Sequence, residues 1–166
     1  MTTPESRVRP AREDDVPSID ALVRELAVYE REPDAVEATP DDFRAALFGP
    51  DPRAHCHVAE VATDDGWQVV GIALWYVTFS TWRGRHGIWL EDLFVRPEHR
   101  QLGLGRALLQ ALAAECVERG WPRLEWWVLD WNSSAHDFYR RAGAVPQDEW
   151  TVWRLDGDAL GQFAAP

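Results

Sequence analysis

The stretch Trp89 to Leu112, WLEDLFVRPEHRQLGLGRALLQAL, decides the fold of this chain. Its first part, Trp89 to Val95, is an apolar run that is broken only by Glu91 and Asp92. The β-branched and aromatic residues of this run predict a mostly buried strand. The Arg-Pro pair that follows ends the strand, because proline has no N–H for the ladder. From Leu104 onward apolar residues recur at helical spacing, so the stretch predicts a strand, a glycine-containing turn and a helix.

The turn has the composition of an anion-binding loop. Gly103 and Gly105 allow backbone N–H groups to converge at the start of the helix, where unpaired donors and the helix dipole favour negative charge. Arg100 and Arg106 add positive charge and forked donors. A Walker loop is excluded because the chain has no lysine, and the dinucleotide fingerprint is excluded because Leu108 stands where a small residue is needed. The alternative interpretation is an ordinary helix start with two turn glycines.

Length and charge limit the class of protein. The 166 residues predict one domain over residues 1–166, with no linker-like stretch. The formal charge of −11 argues against nucleic acid and favours a small cationic partner. No run of 18 apolar residues and no signal-peptide core are found, so the sequence predicts a cytoplasmic protein that does not bind a membrane.

The cysteines give no sign of a metal site. Cys56 and Cys116 are isolated, and neither belongs to a C-x-x-C pair. His55 and His57 flank Cys56, but the segment is better interpreted as a strand than as a zinc site. We therefore expect no metal.

The remaining segments predict an α+β fold. A short strand at Arg7 is followed by a helix that ends near Tyr29, and Thr39-Pro40 opens a second helix. Two strands, His55 to Ala62 and Gln68 to Ser80, form a three-strand antiparallel meander with the central strand. After the central helix come a parallel strand beginning at Leu124, a helix that ends at Gly143, and a last strand from Trp150 to Leu155. We expect a mixed, mostly antiparallel sheet that is flanked by helices.

The loop R-x-x-G-x-G resembles the pyrophosphate loop of the GCN5-related N-acetyltransferases. Further likenesses lie in Glu-Leu-Ala-x-Tyr-Glu (residues 25–30), in Trp-Leu-Glu-Asp-Leu-Phe-Val (residues 89–95), and in Trp-Asn and Phe-Tyr-Arg-Arg-Ala-Gly-Ala (residues 131–144). In these segments the chain is similar to the diamine acetyltransferases, the spermidine/spermine branch. The resemblance implies a three-layer fold whose parallel strand pair splays apart, with acetyl-coenzyme A as co-substrate and a homodimer as the assembly.

Cofactor-binding residues follow from this resemblance by position. It implies that backbone groups of Leu93, Phe94 and Val95 bond the pantetheine arm and that the N–H of Leu93 stabilises the oxyanion on the thioester carbonyl. It implies that the loop holds the diphosphate through Arg100, Gln101, Leu102, Gly103, Leu104, Gly105 and Arg106. It places along the coenzyme arm Asn132, Ser133, Ser134, Ala135 and Tyr139.

The resemblance also implies the catalytic groups. Amine acetylation needs a neutral amine and a proton for the departing thiolate. Glu91 matches the substrate-side carboxylate, which we expect to accept the amine proton through water and to attract the cation. Tyr139 matches the tyrosine that protonates the sulfur, and the alternative for Tyr139 is a core residue on a helix face. Because strand side chains alternate, we expect Asp92 to point to the opposite face and to have a supporting role.

The expected acceptor is a small cationic primary amine, with a polyamine or diamine first. Position within the family implies a pocket lined by Tyr29, Glu30, Glu91, Glu125, Trp126 and Trp127. Because Glu-Trp-Trp at 125–127 is bulky for a long polyamine, thialysine-like amino acids stay open as acceptors. A peptide amine is a further alternative, and so is a non-catalytic acyl-coenzyme A sensor.

Overall fold

The computed structural model describes residues 4–165 and divides the chain into two compact units at residues 127 and 128. The N-terminal tripeptide, part of the segment that lacks a signal-peptide core, lies outside the described residues. The expectation of a single domain over residues 1–166 stays a prediction.

The first unit contains one five-stranded sheet with the order β1-β2-β3-β4-β5. Its strands are β1 (Ser6–Pro10), β2 (His55–Thr63), β3 (Gly66–Ser80), β4 (Arg85–Val95) and β5 (Leu124–Trp126). Neighbouring strands are antiparallel except for β4 and β5, which are parallel. The predicted meander and mixed sheet are confirmed, although β5 is shorter than the predicted strand.

Three helices flank this sheet: α1 (Val16–Tyr29), α2 (Pro40–Phe48) and α3 (Leu104–Glu118). The α2 start follows the predicted capping signal, because Thr39 accepts a hydrogen bond from the N–H of Asp42 and the Asp42 carboxylate accepts one from the N–H of Thr39. The sequence pattern of capping residue, proline and acids therefore sets this helix boundary.

The core lies on both faces of the sheet. On one face, Ile19 and Leu22 of α1 pack with Val58, Ile72 and Phe94 of the strands. On the other face α3 buries its apolar side, which consists of Leu104, Leu108, Leu109, Leu112 and Cys116. Full burial of one such side chain contributes about 2 kcal/mol. Helices α1 and α3 therefore pack on opposite faces of the sheet that contains β4.

The second unit contains α4 (Ser133–Arg141) and α5 (Gly157–Ala164). The predicted strand from Trp150 to Leu155 is wrong, because these residues are irregular and exposed, with Trp153 at 92% exposure. Within residues 128–165 the structure contains no strand. A strand is stable only when a neighbour accepts its ladder hydrogen bonds, so alternation of residue types alone does not form one here.

Candidate active site

The glycine loop has the geometry of an open helix start. After β4 a short 3-10 segment, Pro97–Leu102, leads to Gly103, whose φ of 72° is left-handed. No side chain caps α3 at this end, and the first helical hydrogen bond runs from the N–H of Ala107 to the carbonyl of Gly103. The N–H groups of Leu104, Gly105 and Arg106, which come before this bond in the chain, are therefore available to an anion.

The two arginines that precede the loop have different contacts. Arg96 forms an ion pair with Glu25 of α1 at 2.8 Å, so it ties the strand end to the helix. Arg100 donates to the carbonyl of Val95 at 3.0 Å, and its guanidinium carbon lies 4.8 Å from the centre of the Tyr29 ring. The start of the loop and the predicted pocket residue Tyr29 are thereby in contact.

Beyond the loop, β4 extends past its parallel partner. The pairing of β4 with β5 ends at Leu90 and Trp126, five residues before β4 ends. The N–H of Arg96 donates to Val70 of β3, and N–H groups alternate in direction along a strand. Those of Leu93 and Val95 therefore point away from β3, toward the side where β5 has stopped. These donors fit an extended amide-bearing arm.

A β-bulge in β4 changes the predicted direction of Asp92. Leu74 lies opposite Asp92 and Trp75 lies opposite Leu90, so Glu91 is an extra residue in the ladder. Leu74 packs against the core cluster on the α1 face, which puts Asp92 on that face. The prediction that Asp92 points away from Glu91 is wrong, because the bulge breaks the alternation between the two residues.

Three carboxylates interact on this face of the sheet. Burial first, and then the charges of Glu91 and Glu30, raise the pKa of Asp92 to about 6. Burial also raises the pKa of Glu30, which caps the end of α1. The structure thus brings two predicted pocket residues, Glu30 and Glu91, into one acidic cluster with Asp92.

Aromatic side chains border this acidic cluster. The indole nitrogen of Trp89 donates to Oε2 of Glu91 at 3.0 Å. The Trp127 ring packs edge-on against Trp89 at 4.9 Å between centroids, and the Tyr76 ring lies 6.5 Å from Trp89 on the other side. An alkylammonium group suits such a mixture of carboxylates and aromatic rings.

The other two predicted pocket residues of β5 lie in different directions. Glu125 is opposite Trp89 in the parallel ladder and forms an ion pair with Arg123 at 3.3 Å. Trp126 is opposite Leu90, which faces the α3 side together with Trp75. Strand alternation therefore places Trp126 on the sheet face opposite the acidic cluster.

The second unit carries the remaining predicted residues. Asn132 caps α4 by accepting the N–H of Ala135 at 3.2 Å, and the hydroxyl of Ser134 donates to the same oxygen at 3.1 Å. Tyr139 is half-buried on α4, with its ring 5.1 Å from that of Phe138. The left-handed Gly143 ends the helix as the sequence predicts.

Sequence reasoning missed Trp89 and gave Asp92 a minor role. Trp89 precedes Glu91 by two residues on a strand, so alternation could have placed them on the same face. No comparable signal exists for Asp92, because a bulge at a non-glycine position leaves no clear mark in the sequence.

Neither a metal site nor a membrane-spanning helix is found within residues 4–165. No group of three or more His, Cys, Asp or Glu side chains in this part of the chain is arranged to hold a metal ion. Cys56 lies in β2 as predicted. None of the described helices has the length and apolar character needed to cross a bilayer.

Comparisons with known proteins identify the family of this chain. The profile of the acetyltransferase (GNAT) family matches residues 19–144. The thialysine N-epsilon-acetyltransferase of Bos taurus is 39% identical over 164 residues, which cover 95% of this chain and 96% of that protein. The spermidine/spermine N(1)-acetyltransferase-like protein 1 of Homo sapiens is 30% identical over 95% of this chain and 24% of that protein.

A solved structure shows the same fold. An integron cassette protein from the mobile metagenome of V. cholerae superposes with a TM-score of 0.78, covering 97% of this chain and 98% of that chain at 23% identity. The chain therefore belongs to the acetyltransferase (GNAT) family. It is an N-acetyltransferase, and its sequence places it in the branch that includes the thialysine and spermidine/spermine enzymes.

Proposed function

We propose that the protein transfers the acetyl group of acetyl-coenzyme A to the primary amine of a small cationic acceptor. The observation that carries this proposal is the cluster of Glu30, Glu91 and Asp92 beside Trp89 and Trp127. Glu91 and Asp92 lie on the strand that leads into the glycine loop. Negative charge and aromatic faces attract an alkylammonium group. The cluster therefore supports a cationic acceptor next to a coenzyme site.

The residues fit the coenzyme at both of its ends. The uncapped start of α3 offers donors to the diphosphate, and the N–H groups of β4 beyond β5 offer donors to the pantetheine amides. Acetyl-coenzyme A supplies a thioester carbonyl that an amine can attack. We assign Gln101 to Arg106 to the diphosphate and the N–H groups of Leu93 and Val95 to the arm, and Asn132 to Ala135 to its border. Phe94 lies opposite Ile72 and its N–H points toward β3, so its backbone is not assigned to the arm.

Proton movement completes the proposed reaction. An alkylamine has a pKa of about 10, so its proton must be removed before it can attack. The carboxylates of the acidic cluster lie on the face where the acceptor would bind, and they accept that proton. The phenol O–H of Tyr139 is the proposed proton donor to the sulfur, because a phenol is a weak acid that can protonate a thiolate. The role of Tyr139 rests on its position in the family pattern.

Two kinds of acceptor share the aminoalkyl group that this site would recognise. The acidic cluster favours an acceptor with several positive charges, such as a diamine or a polyamine. Similarity to the thialysine enzymes and the bulk of Trp127 beside Trp89 favour a short thialysine-like amino acid. We place Tyr29 and Glu125 at the edge of the same pocket. We also propose a cytoplasmic homodimer with a single functional domain.

Thiol release from acetyl-coenzyme A tests this function. Spermidine, thialysine and a lysine-containing peptide are supplied as competing acceptors, and mass spectrometry identifies which of them gains an acetyl group. We expect acetylation of spermidine or thialysine well above the rate without acceptor. Acetylation of the peptide alone would contradict a small-amine enzyme, and no acetylation of any acceptor would contradict the proposed function.

A further inference from the structure

The bulge at Glu91 places two adjacent carboxylates on the same face of the sheet. In a regular strand one of the pair would face α3 and could not reach an acceptor on the α1 face. Here Asp92 lies opposite Leu74 and Glu91 accepts a hydrogen bond from Trp89, whose own partner across the ladder is Tyr76. Both carboxylates can therefore reach an acceptor on this face, and each can have a different role.

Glu91 is held as a hydrogen-bond acceptor. The indole N–H of Trp89 donates to Oε2 of Glu91 at 3.0 Å and so restricts the position of this carboxylate. The Trp89 ring is itself fixed between Tyr76 and Trp127. The exposed Glu91 side chain is therefore a positioned anion at the surface of the pocket.

Asp92 is in the opposite situation. It is half-buried, and within residues 4–127 the structure gives its carboxylate no hydrogen-bond donor. The groups that face it are Glu91 on its own strand, Glu30 at the end of α1 and the thiol of Cys56 on β2. Burial first, and then the charges of Asp15 and Asp92, raise the pKa of Cys56 to about 12, so the thiol adds no charge near neutral pH. Asp92 is surrounded by groups that make a bound proton favourable.

We propose that Asp92 accepts the proton of the acceptor ammonium, while Trp89 positions Glu91 as the anion that binds this ammonium. This inference rests on the proposed function and changes the role predicted for Glu91. A base whose pKa lies nearer the working pH is a better proton acceptor than an ordinary carboxylate. The carboxylate that holds a cation and the one that takes its proton are then different residues.

The proton and bond changes balance. The ammonium nitrogen gives its proton to an oxygen of Asp92, directly or through water, and keeps its electron pair. The nitrogen–carbon bond to the acetyl group forms as the carbon–sulfur bond breaks, and the sulfur takes the proton of Tyr139 under the proposed function. The acylated nitrogen, positively charged after the bond forms, loses its second proton to solvent and becomes the neutral amide. Asp92 then returns its proton to solvent and the phenolate of Tyr139 regains one, so that each turnover releases one proton.

The free enzyme provides a test that needs no turnover. Carboxyl carbon NMR of protein labelled at aspartate side chains, with the Asp92 signal assigned by its absence in Asp92→Asn, reports its titration. We expect a midpoint near pH 6, within about one unit. A midpoint near the ordinary value of about 4 would overturn the assignment.

Kinetic variants separate the two carboxylates. We expect Asp92→Asn to lower kcat by about 100-fold or more and to remove the acidic limb of the pH profile, with little change in calorimetric affinity for the acceptor. Glu91→Gln should raise KM at least 10-fold and keep the acidic limb. Trp89→Phe should also raise KM and keep the acidic limb. The double variant Trp89→Phe/Glu91→Gln should have a KM close to that of the single variants. Additive effects would overturn the positioning role of Trp89.

Controls make each failure identifiable. The exposed Asp65→Asn, in the β2–β3 turn, is a matched amide substitution that should leave the pH profile unchanged. Circular dichroism melts show whether each variant is folded. If the wild-type enzyme acetylates no amine, the proposed function fails. If it acetylates an amine and Asp92→Asn keeps the acidic limb, only the assignment of Asp92 fails.

Discussion

The Nε atom of Arg96 lies 3.1 and 3.0 Å from the two carboxylate oxygens of Glu25, and Nη2 lies 2.8 Å from Oε1. This forked contact joins the end of β4 to α1, next to the segment that enters the glycine loop. It is partly shielded from water on the arginine side. The pair therefore fixes the two elements that carry the acidic cluster.

Arg96→Gln should destabilise the protein by about 1 kcal/mol, because charged hydrogen bonds are lost but Glu25 stays partly solvated. The more exposed pair Arg53 and Asp51 provides the control. We expect Asp51→Asn to change the free energy of unfolding by less than about 0.5 kcal/mol. Urea unfolding measures both variants, and equal losses would contradict the structural role of Arg96.

Acid should weaken the ion pairs at the start of the chain. Burial alone would raise the pKa of Asp15, but hydrogen bonds from Arg9 and from the backbone of Arg12 outweigh it and hold the pKa below its ordinary value. Glu60 behaves in the same way, with hydrogen bonds from Arg9 and Arg7 opposing burial.

A carboxyl whose pKa is lower when folded stabilises the protein above its unfolded pKa, and the effect is lost as the pH falls through the folded value. We therefore expect the thermal midpoint to fall below about pH 4. Asp15→Asn should have a lower midpoint at pH 7 and a flatter curve toward acid. Calorimetry between pH 3 and pH 7 measures the thermal midpoint of both proteins. Parallel curves of midpoint against pH would show that Asp15 does not contribute to the loss of stability in acid.

Gly103→Ala tests the backbone of the loop. A residue with a Cβ loses about 1 kcal/mol of stability at a φ of 72°. No atom beyond the adjoining residues lies within 4 Å of the Cβ that alanine would add. Gly84, with a φ of 58° and equally open surroundings, is a matched control in the β3–β4 turn. Both alanine variants should lose similar stability, but only Gly103→Ala should weaken coenzyme A binding. A similar loss of affinity in Gly84→Ala would contradict a specific role for the loop.

Tyr139→Phe should lower turnover by about 100-fold or more, since general acid catalysis is worth that much, while coenzyme A affinity stays within a few-fold. Thiol-release assays measure kcat, and titration calorimetry measures the affinity for coenzyme A. Ala144 donates a backbone hydrogen bond to the carbonyl of Tyr139, which the substitution keeps, so the helix end should stay folded. Equal turnover would remove Tyr139 as the proton donor.

The sequence predicts those features that depend on neighbouring residues. The cap at Thr39 and the helix end at Gly143 are both confirmed, because each depends on local backbone preferences. The strand predicted from Trp150 is not formed, since pairing depends on a distant partner. The direction of Asp92 was also beyond prediction, because a single bulged residue reverses the alternation.

Titration calorimetry with coenzyme A and with pantetheine, which lacks the diphosphate, tests the central claim that the glycine loop binds that diphosphate. We predict that coenzyme A binds and that pantetheine binds at least 10-fold more weakly, because pantetheine offers no diphosphate to the donors at the start of α3. Absence of heat with coenzyme A, or equal affinity for the two compounds, would contradict it.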